Sequence, residues 1–221
     1  FPTRRSSDLN LGKKFKPYII AEACINHQGN MSLAKKMIEI ASECNVSAVK
    51  FQYHILDDEM LKLTPRSKNF KKSLYQTLDE TNIYIKQHLE LKKICKKNNV
   101  DYLCTPFSIK SADILEKEIK VKAFKVGSGE LTNIPFQIHI AKKKLPTIIS
   151  TGMSSINEIT YTVNEVKKYN KRICLTQCTS VYPCPPSISD IGVISNFQKK
   201  FNLPIGLSDH TSSNYTSYAA V

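Results

Sequence analysis

The residues able to do chemistry fall at the carboxyl ends of short apolar runs. Glu22 ends the first run, Lys50 and Gln52 the second, Thr105 the third, and Lys125 with Ser128 and Glu130 the fourth. Ser150 and Thr151 follow the fifth, Gln177, Thr179 and Ser180 the sixth, and Ser208, Asp209 and His210 the seventh. Lysines flanked by apolar strand residues are expensive to bury without a partner, so Lys50 and Lys125 suit a bound anion. The plainer alternative is a structural ion pair with Glu22 or Glu130. Thr105, Ser128, Ser150, Ser180 and Ser208 would add hydroxyl donors, and Gly127 and Gly129 let the backbone approach the same anion. Taken one at a time, each of these residues suits a loop or a helix cap equally well. A lone histidine after an acidic residue, as His210 is, is more often a hydrogen-bonded surface side chain than a metal ligand.

The elements that must position these groups alternate along the chain. Apolar runs at 18–23, 48–51, 102–104, 123–126, 147–149, 173–176 and 205–207 are rich in Val, Ile or aromatics. Nearly continuous apolar strands are buried on both faces, hence a parallel sheet. Between them, 33–44, 83–98, 109–118, 157–169 and 192–201 carry apolar residues at helical spacing, with Asn30 or Ser32 as a cap for the first and Ser155 with Glu158 as a capping box. The polar connection 52–81, which contains Pro65, is either an active-site excursion or a poorly ordered loop. An open sheet gathers its ligand at one switch point, whereas polar residues at the end of every strand are the pattern of a barrel. No Gly-rich phosphate loop follows the first strand. The fold class expected is α/β, a TIM-type (β/α)8 barrel, incomplete, with about seven strands present.

Composition narrows the function classes. The 221 residues are 41% hydrophobic, which is enough for a sizeable core, and no run approaches the roughly 18 to 20 apolar residues of a membrane span. A cytoplasmic chain with no membrane partner is expected. The seven cysteines are odd in number and show no C-x-x-C spacing, so reduced, mostly buried thiols are expected. The formal net charge of +13 invites nucleic acid, but the 32 basic residues are 28 Lys and 4 Arg, and the lysines pair up on helical patterns. Lysine pairs of that kind form solvated faces, whereas nucleic-acid readers lean on Arg, so no nucleic-acid partner is expected. A basic RNA-binding scaffold without catalysis is the competing reading. Residues 1–9 match none of the composition that follows and are expected to be an adapter-derived scar. The stretch 212–221 starts as an amphipathic helix and stops without a cap, which suggests a fragment.

Seven segments in order carry a family resemblance: Ile20-Ala21-Glu22-Ala23 with Asn26-His27, Val49-Lys50-Phe51-Gln52, Cys104-Thr105-Pro106-Phe107-Ser108, Lys125-Val126-Gly127-Ser128-Gly129-Glu130, Ser150-Thr151-Gly152-Met153, Gln177-Cys178-Thr179-Ser180 with Tyr182-Pro183, and Gly206-Leu207-Ser208-Asp209-His210-Thr211. Together they resemble the sialic acid synthases, the family of N-acetylneuraminate, legionaminate and pseudaminate synthases, from about Pro17 to the last residue. The resemblance implies transfer chemistry: condensation of phosphoenolpyruvate with an N-acetylmannosamine-type sugar to form a nonulosonic (sialic) acid plus phosphate. It implies that 17–221 is a truncated barrel domain, that a C-terminal antifreeze-like domain is absent, and that the full-length protein is a homodimer. Phosphoenolpyruvate would be bound by Lys50, Thr105, Lys125, Ser128, Ser150, Ser180 and Ser208, and the sugar by Glu22, Gln52, Glu130 and Tyr182. Either Glu22 or Glu130 would relay protons as the catalytic carboxylate. His210 resembles one of two histidines that hold a divalent metal, Mn2+ or Mg2+, whose role would be to polarise the sugar aldehyde. His27 matches a family position and receives no catalytic role.

Overall fold

The computed structural model describes residues 16–64, 66 and 71–221; the leading segment 1–9 and Pro65 lie outside the described residues. Two compact units divide the chain, Tyr18–Val121 and Lys122–Val221.

In the first unit, β1 (Ile20–Cys24), β2 (Ala48–Tyr53) and β3 (Asp101–Pro106) lie side by side in parallel. Helix α1 (Met31–Glu43) links β1 to β2, while α2 (Leu74–Thr81) and α3 (Ile85–Lys97) lie between β2 and β3. After β3 comes α4 (Ile109–Ile114), which widens into a π-helical turn over Leu115–Ile119. Asn30 caps α1 by accepting from the Ser32 and Leu33 amides. The 52–81 connection is more structured than its polarity suggests: Leu56–Asp58 forms a 3-10 turn, and Ser73 with Gln76 makes both halves of a capping box at the start of α2.

Side chains alternate across β2. Val49, Phe51 and Tyr53 face the helices, where Phe51 stacks on Tyr102 and Tyr53 meets His88 edge-on, while Lys50 and Gln52 occupy the opposite face. Phe51, Leu91 and Leu103 are almost fully buried, each worth roughly 1.5–3 kcal/mol of apolar transfer.

The second unit repeats the plan with β4 (Phe124–Val126), β5 (Thr147–Ser150), β6 (Ile173–Cys178) and β7 (Ile205–Ser208), all parallel and in sequence order. Helices α5 (Ile134–Lys142), α6 (Ile156–Lys167) and α7 (Gly192–Phe201) alternate with them, and α8 (Tyr215–Ala219) closes the chain. The capping box at Ser155 and Glu158 forms as expected. Helix α5 breaks the expected pattern: Pro135 and apolar residues on most of its circumference blur its period, and Asn133 caps it through the Phe136 amide. With only seven glycines in the chain, asparagine takes over left-handed helix ends, at Asn45 (φ 57), Asn99 (φ 56) and Asn202 (φ 49). All seven cysteines are free thiols and five are buried. No helix among the described residues is long and apolar enough to cross a membrane.

Candidate active site

In the first unit the polar strand ends sit on one face. The register sets Glu22 beside Lys50 and Gln52 beside Thr105. Lys50 is 7% exposed, its ammonium paired with the Glu22 carboxylate and donating to Thr105 Oγ1 at 3.3 Å. A bulge after Glu22 turns the Cys24 amide back onto the same carboxylate at 3.0 Å, so Glu22 is held by a cation and by a backbone donor. The ion pair with Glu22 envisaged for Lys50 therefore exists, yet the Glu22 side chain is 47% exposed and the pair opens to solvent on that side. Gln52, half-buried, meets His54 Nε2 at 3.0 Å through its carboxamide oxygen.

The second unit builds a denser set. Lys125, 7% exposed, donates to Ser150 Oγ at 2.5 Å and to the Val126 carbonyl at 2.9 Å, and Ser150 Oγ lies 2.9 Å from Thr176 Oγ1. Just beyond the strands, Ser128 Oγ accepts from the Gly152 amide at 3.1 Å and donates to Cys178 Sγ at 3.3 Å. Gly152 has no room for a side chain: a Cβ there would lie 2.3 Å from Ser180 Oγ and 2.8 Å from Ser128 Oγ. Of the glycines in these segments, it is Gly152 that brings backbone against the hydroxyls; a Cβ on Gly129 meets nothing within 4 Å.

Cys178 is the thiol of this set that is brought down rather than up. Burial pushes it up, but hydrogen bonds from His210, Ser128 and Ser180 outweigh burial and bring it down to about 7. His210 is raised in turn, first by its contact with Cys178. Its Nδ1 lies 2.9 Å from the Thr179 carbonyl and 3.9 Å from Cys178 Sγ, so the proton on Nδ1 belongs chiefly to the carbonyl. Nε2 faces the Tyr182 hydroxyl at 3.1 Å.

The remaining expected residues take separate places. Glu130 ends a 3-10 turn, half-buried, and accepts from Asn133 Nδ2 at 2.8 Å. Ser208 ends β7 in register with Cys178, and Tyr182 is 63% exposed. Gln177 and Thr179 serve structure: both reach the Ser189 carbonyl and tie β6 to the loop before α7. His27 hydrogen-bonds its own loop through the Gly29 amide. Thr176, Cys178, His54 and Glu59 were not anticipated as site residues. For Thr176 the signal was present, since it lies two residues before Cys178 on the face that carries Ser208.

Two other expectations can be tested on the same geometry. A divalent cation needs several donors, but among the described residues no group of three His, Cys, Asp or Glu side chains could hold one, and the Nε2 lone pair of His210 already meets Tyr182. The described residues alone do not fit the metal. Several of the helix lysines are engaged within the fold: Lys92 donates to the Ile119 and Lys120 carbonyls, Lys35 pairs with Glu90, Lys167 donates to the Phe201 carbonyl and Lys168 pairs with Glu165.

Comparison with known proteins places this arrangement. The chain is 37% identical over 215 residues to the N,N'-diacetyllegionaminic acid synthase of Campylobacter jejuni, covering 93% of this chain and 64% of the relative. It is 35% identical over 217 residues to the N-acetylneuraminate-9-phosphate synthase of Mus musculus, covering 96% and 60%. The chain thus spans less than two thirds of the length of these curated relatives. The N-acetylneuraminic acid synthetase of Leptospira borgpetersenii, solved in complex with citrate, superposes with a TM-score of 0.84 at 29% identity, over 95% of this chain and 70% of that one. The fold class is accordingly α/β, an incomplete TIM-type barrel. Residues 37–221 match the model of the NeuB family, and the chain belongs to that family.

Proposed function

We propose that this chain forms the barrel of a synthase that condenses phosphoenolpyruvate with an N-acetylated mannose-type sugar, giving a nonulosonic acid and inorganic phosphate. The observation that carries the reading is the buried Lys125 ammonium donating to the Ser150 hydroxyl, which is itself hydrogen-bonded to Thr176, a cation fixed on rigid strands where an anion can bind. The residues assigned to phosphoenolpyruvate are Lys50, Thr105, Lys125, Ser128, Ser150, Ser180 and Ser208. The citrate complex of the Leptospira relative supports an anion site of this kind. Glu22, Gln52, Glu130 and Tyr182 are assigned to the sugar, whose hydroxyl and acetamido groups they match as acceptors and donors.

In this reading the enol methylene of phosphoenolpyruvate attacks the open-chain aldehyde carbon, and Glu22 or Glu130 relays a proton to the aldehyde oxygen, balanced by the proton released when water adds. Water adds to the cationic carbon left behind, and phosphate departs. No step is routed through a metal ion. The test is phosphate release from phosphoenolpyruvate and a panel of acetamido sugars, using the chain extended to the length of its relatives. Release that needs both substrates and falls in Lys125→Met supports the reading; release independent of the sugar, or none with any sugar, overturns it.

A further inference from the structure

Buried beside Gln52 is an ionisable pair that the reaction as written leaves unused. The side chains of His54 and Glu59 are 4% and 3% exposed, and His54 Nδ1 lies 2.7 Å from Glu59 Oε2. Burying a carboxylate and an imidazole so completely is unfavourable unless every polar atom is engaged. Every one is. Glu59 Oε1 accepts from the Ile55 amide at 2.5 Å, and His54 Nε2 meets Gln52 Oε1 at 3.0 Å. The imidazole plane is fixed as well, stacked on Phe107 at 4.4 Å and 16°, while Asn82 at the end of α2 holds the His54 carbonyl at 3.1 Å.

We propose that Glu59 and His54 are positioning residues that hold the Gln52 carboxamide, so that one end of the amide is fixed by His54 Nε2 and the other end is presented to the sugar. The inference rests on the reading above that Gln52 contacts the acceptor. The geometry orders the chain of command. A carboxylate 2.7 Å from Nδ1 requires a proton on Nδ1, and the Gln52 carboxamide oxygen 3.0 Å from Nε2 requires a donor there too, so Glu59 is the counter-ion that lets both ring nitrogens donate. The carboxamide oxygen is thereby held toward the ring, and the opposite, NH2 end is the donor left for the ligand. An amide free to flip would offer a mixture of donor and acceptor. Such fixing is the function that second partners of a ligand-contacting group perform, and a polar group left mismatched against a substrate discriminates strongly.

The test uses the chain extended to the length of its relatives and measures kcat and KM for the sugar and for phosphoenolpyruvate separately. Glu59→Gln keeps shape and burial but accepts less strongly from Nδ1, and is expected to raise the sugar KM about five- to tenfold with the phosphoenolpyruvate KM within about twofold. His54→Phe keeps the stacking on Phe107, and His54→Gln restores an amide donor toward Gln52; the first should raise the sugar KM and the second should recover most of the loss. In a Gln52→Ala background, His54→Phe should add less than about a twofold change, because its effect runs through Gln52. Additive effects in that cycle, or equal shifts in both KM values, would overturn the positioning role. Should His54→Phe fail to fold, Glu59→Gln and His54→Gln decide the matter by the same KM split. If Gln52→Ala alone leaves the sugar KM unchanged, it is the assignment of Gln52 to the sugar that falls; if Gln52→Ala raises it while the Glu59 and His54 variants do not, the positioning proposal alone falls.

Discussion

Replacing Lys125 by Met separates a lysine that binds substrate from one that only holds the sheet together. Met keeps most of the aliphatic stem but removes the ammonium, and with it the donor to Ser150 Oγ and to the Val126 carbonyl. Two effects on stability then oppose each other. A buried charge no longer has to be desolvated, while the acceptors around it, the Ser150 hydroxyl and the Val126 carbonyl among them, lose a donor; Ser150 keeps Thr176 as a partner. A net change within about 1–2 kcal/mol is expected, either way in sign. Anion affinity has no such compensation. One lost charge-assisted hydrogen bond is worth about 1.5–3 kcal/mol, which is about ten- to a hundredfold in Kd. Calorimetric titration of phosphoenolpyruvate into the full-length variant, beside a thermal melt, checks both halves. Affinity preserved within about threefold, together with destabilisation beyond about 3 kcal/mol, would mean that Lys125 is structural and would refute the reasoning. Lys50→Met should weaken phosphoenolpyruvate similarly but disturb the fold less, because Glu22 is half-exposed and retains the Cys24 amide.

Gly152→Ala should lower phosphoenolpyruvate affinity at least tenfold by displacing the Ser128 and Ser180 hydroxyls, at a stability cost of about 1–3 kcal/mol for overpacking; titration and a melt measure both. Ultraviolet thiolate absorbance should show a titration near 7 that vanishes in Cys178→Ser and moves up toward 9 in His210→Ala, and a midpoint unmoved by His210→Ala would contradict the hydrogen-bond account. His88 is held neutral, brought down to about 3 by burial and then by the charge of His27, whereas an unfolded histidine titrates near 6.5. Between those values the unfolded chain binds the extra proton, so stability is present above pH 6.5 and declines as pH falls toward 3. Denaturant melts across that range should lose about 1.4 kcal/mol per pH unit of slope in His88→Gln, and an unchanged slope would remove His88 from the acid response.

What the sequence made legible is what local chemistry dictates. Seven apolar runs became seven strands, and 192–201 is the span of α7 to the residue, because apolar period and burial agree there. The helix ends were harder, since asparagine at Asn45, Asn99 and Asn202 does the work usually signalled by glycine. Helix α2 had a legible start in Ser73-x-x-Gln76, but the polarity of 52–81 obscured it. In the candidate site, the residue types were readable from their place at the carboxyl ends of the apolar runs. Their partners were not: Cys178 Sγ is approached by Ser128, Ser180 and His210 from separate stretches of chain, and a thiol inside an apolar run carries no local sign of that company. The link from Glu59 through His54 to Gln52 was equally hidden, because it depends on a 3-10 turn folding a charged side chain back under its own strand.

The alternation of β2 also bears on how such a chain can change over generations. Lys50 and Gln52 share a strand with Val49, Phe51 and Tyr53 on the opposite face, and pairing with β1 and β3 fixes the frame on both sides. A one-residue insertion or deletion inside β2 would drive a lysine and a glutamine among the aromatic rings and turn Phe51 and Tyr53 toward the face that now carries Lys50 and Gln52, losing the packing of both faces in one event. Point substitutions at 50 or 52, by contrast, leave the aromatic face alone. Length variation is therefore expected in the segments after the strands, such as the stretch between Tyr53 and α2, where residues can be added or removed while the strands keep their frame.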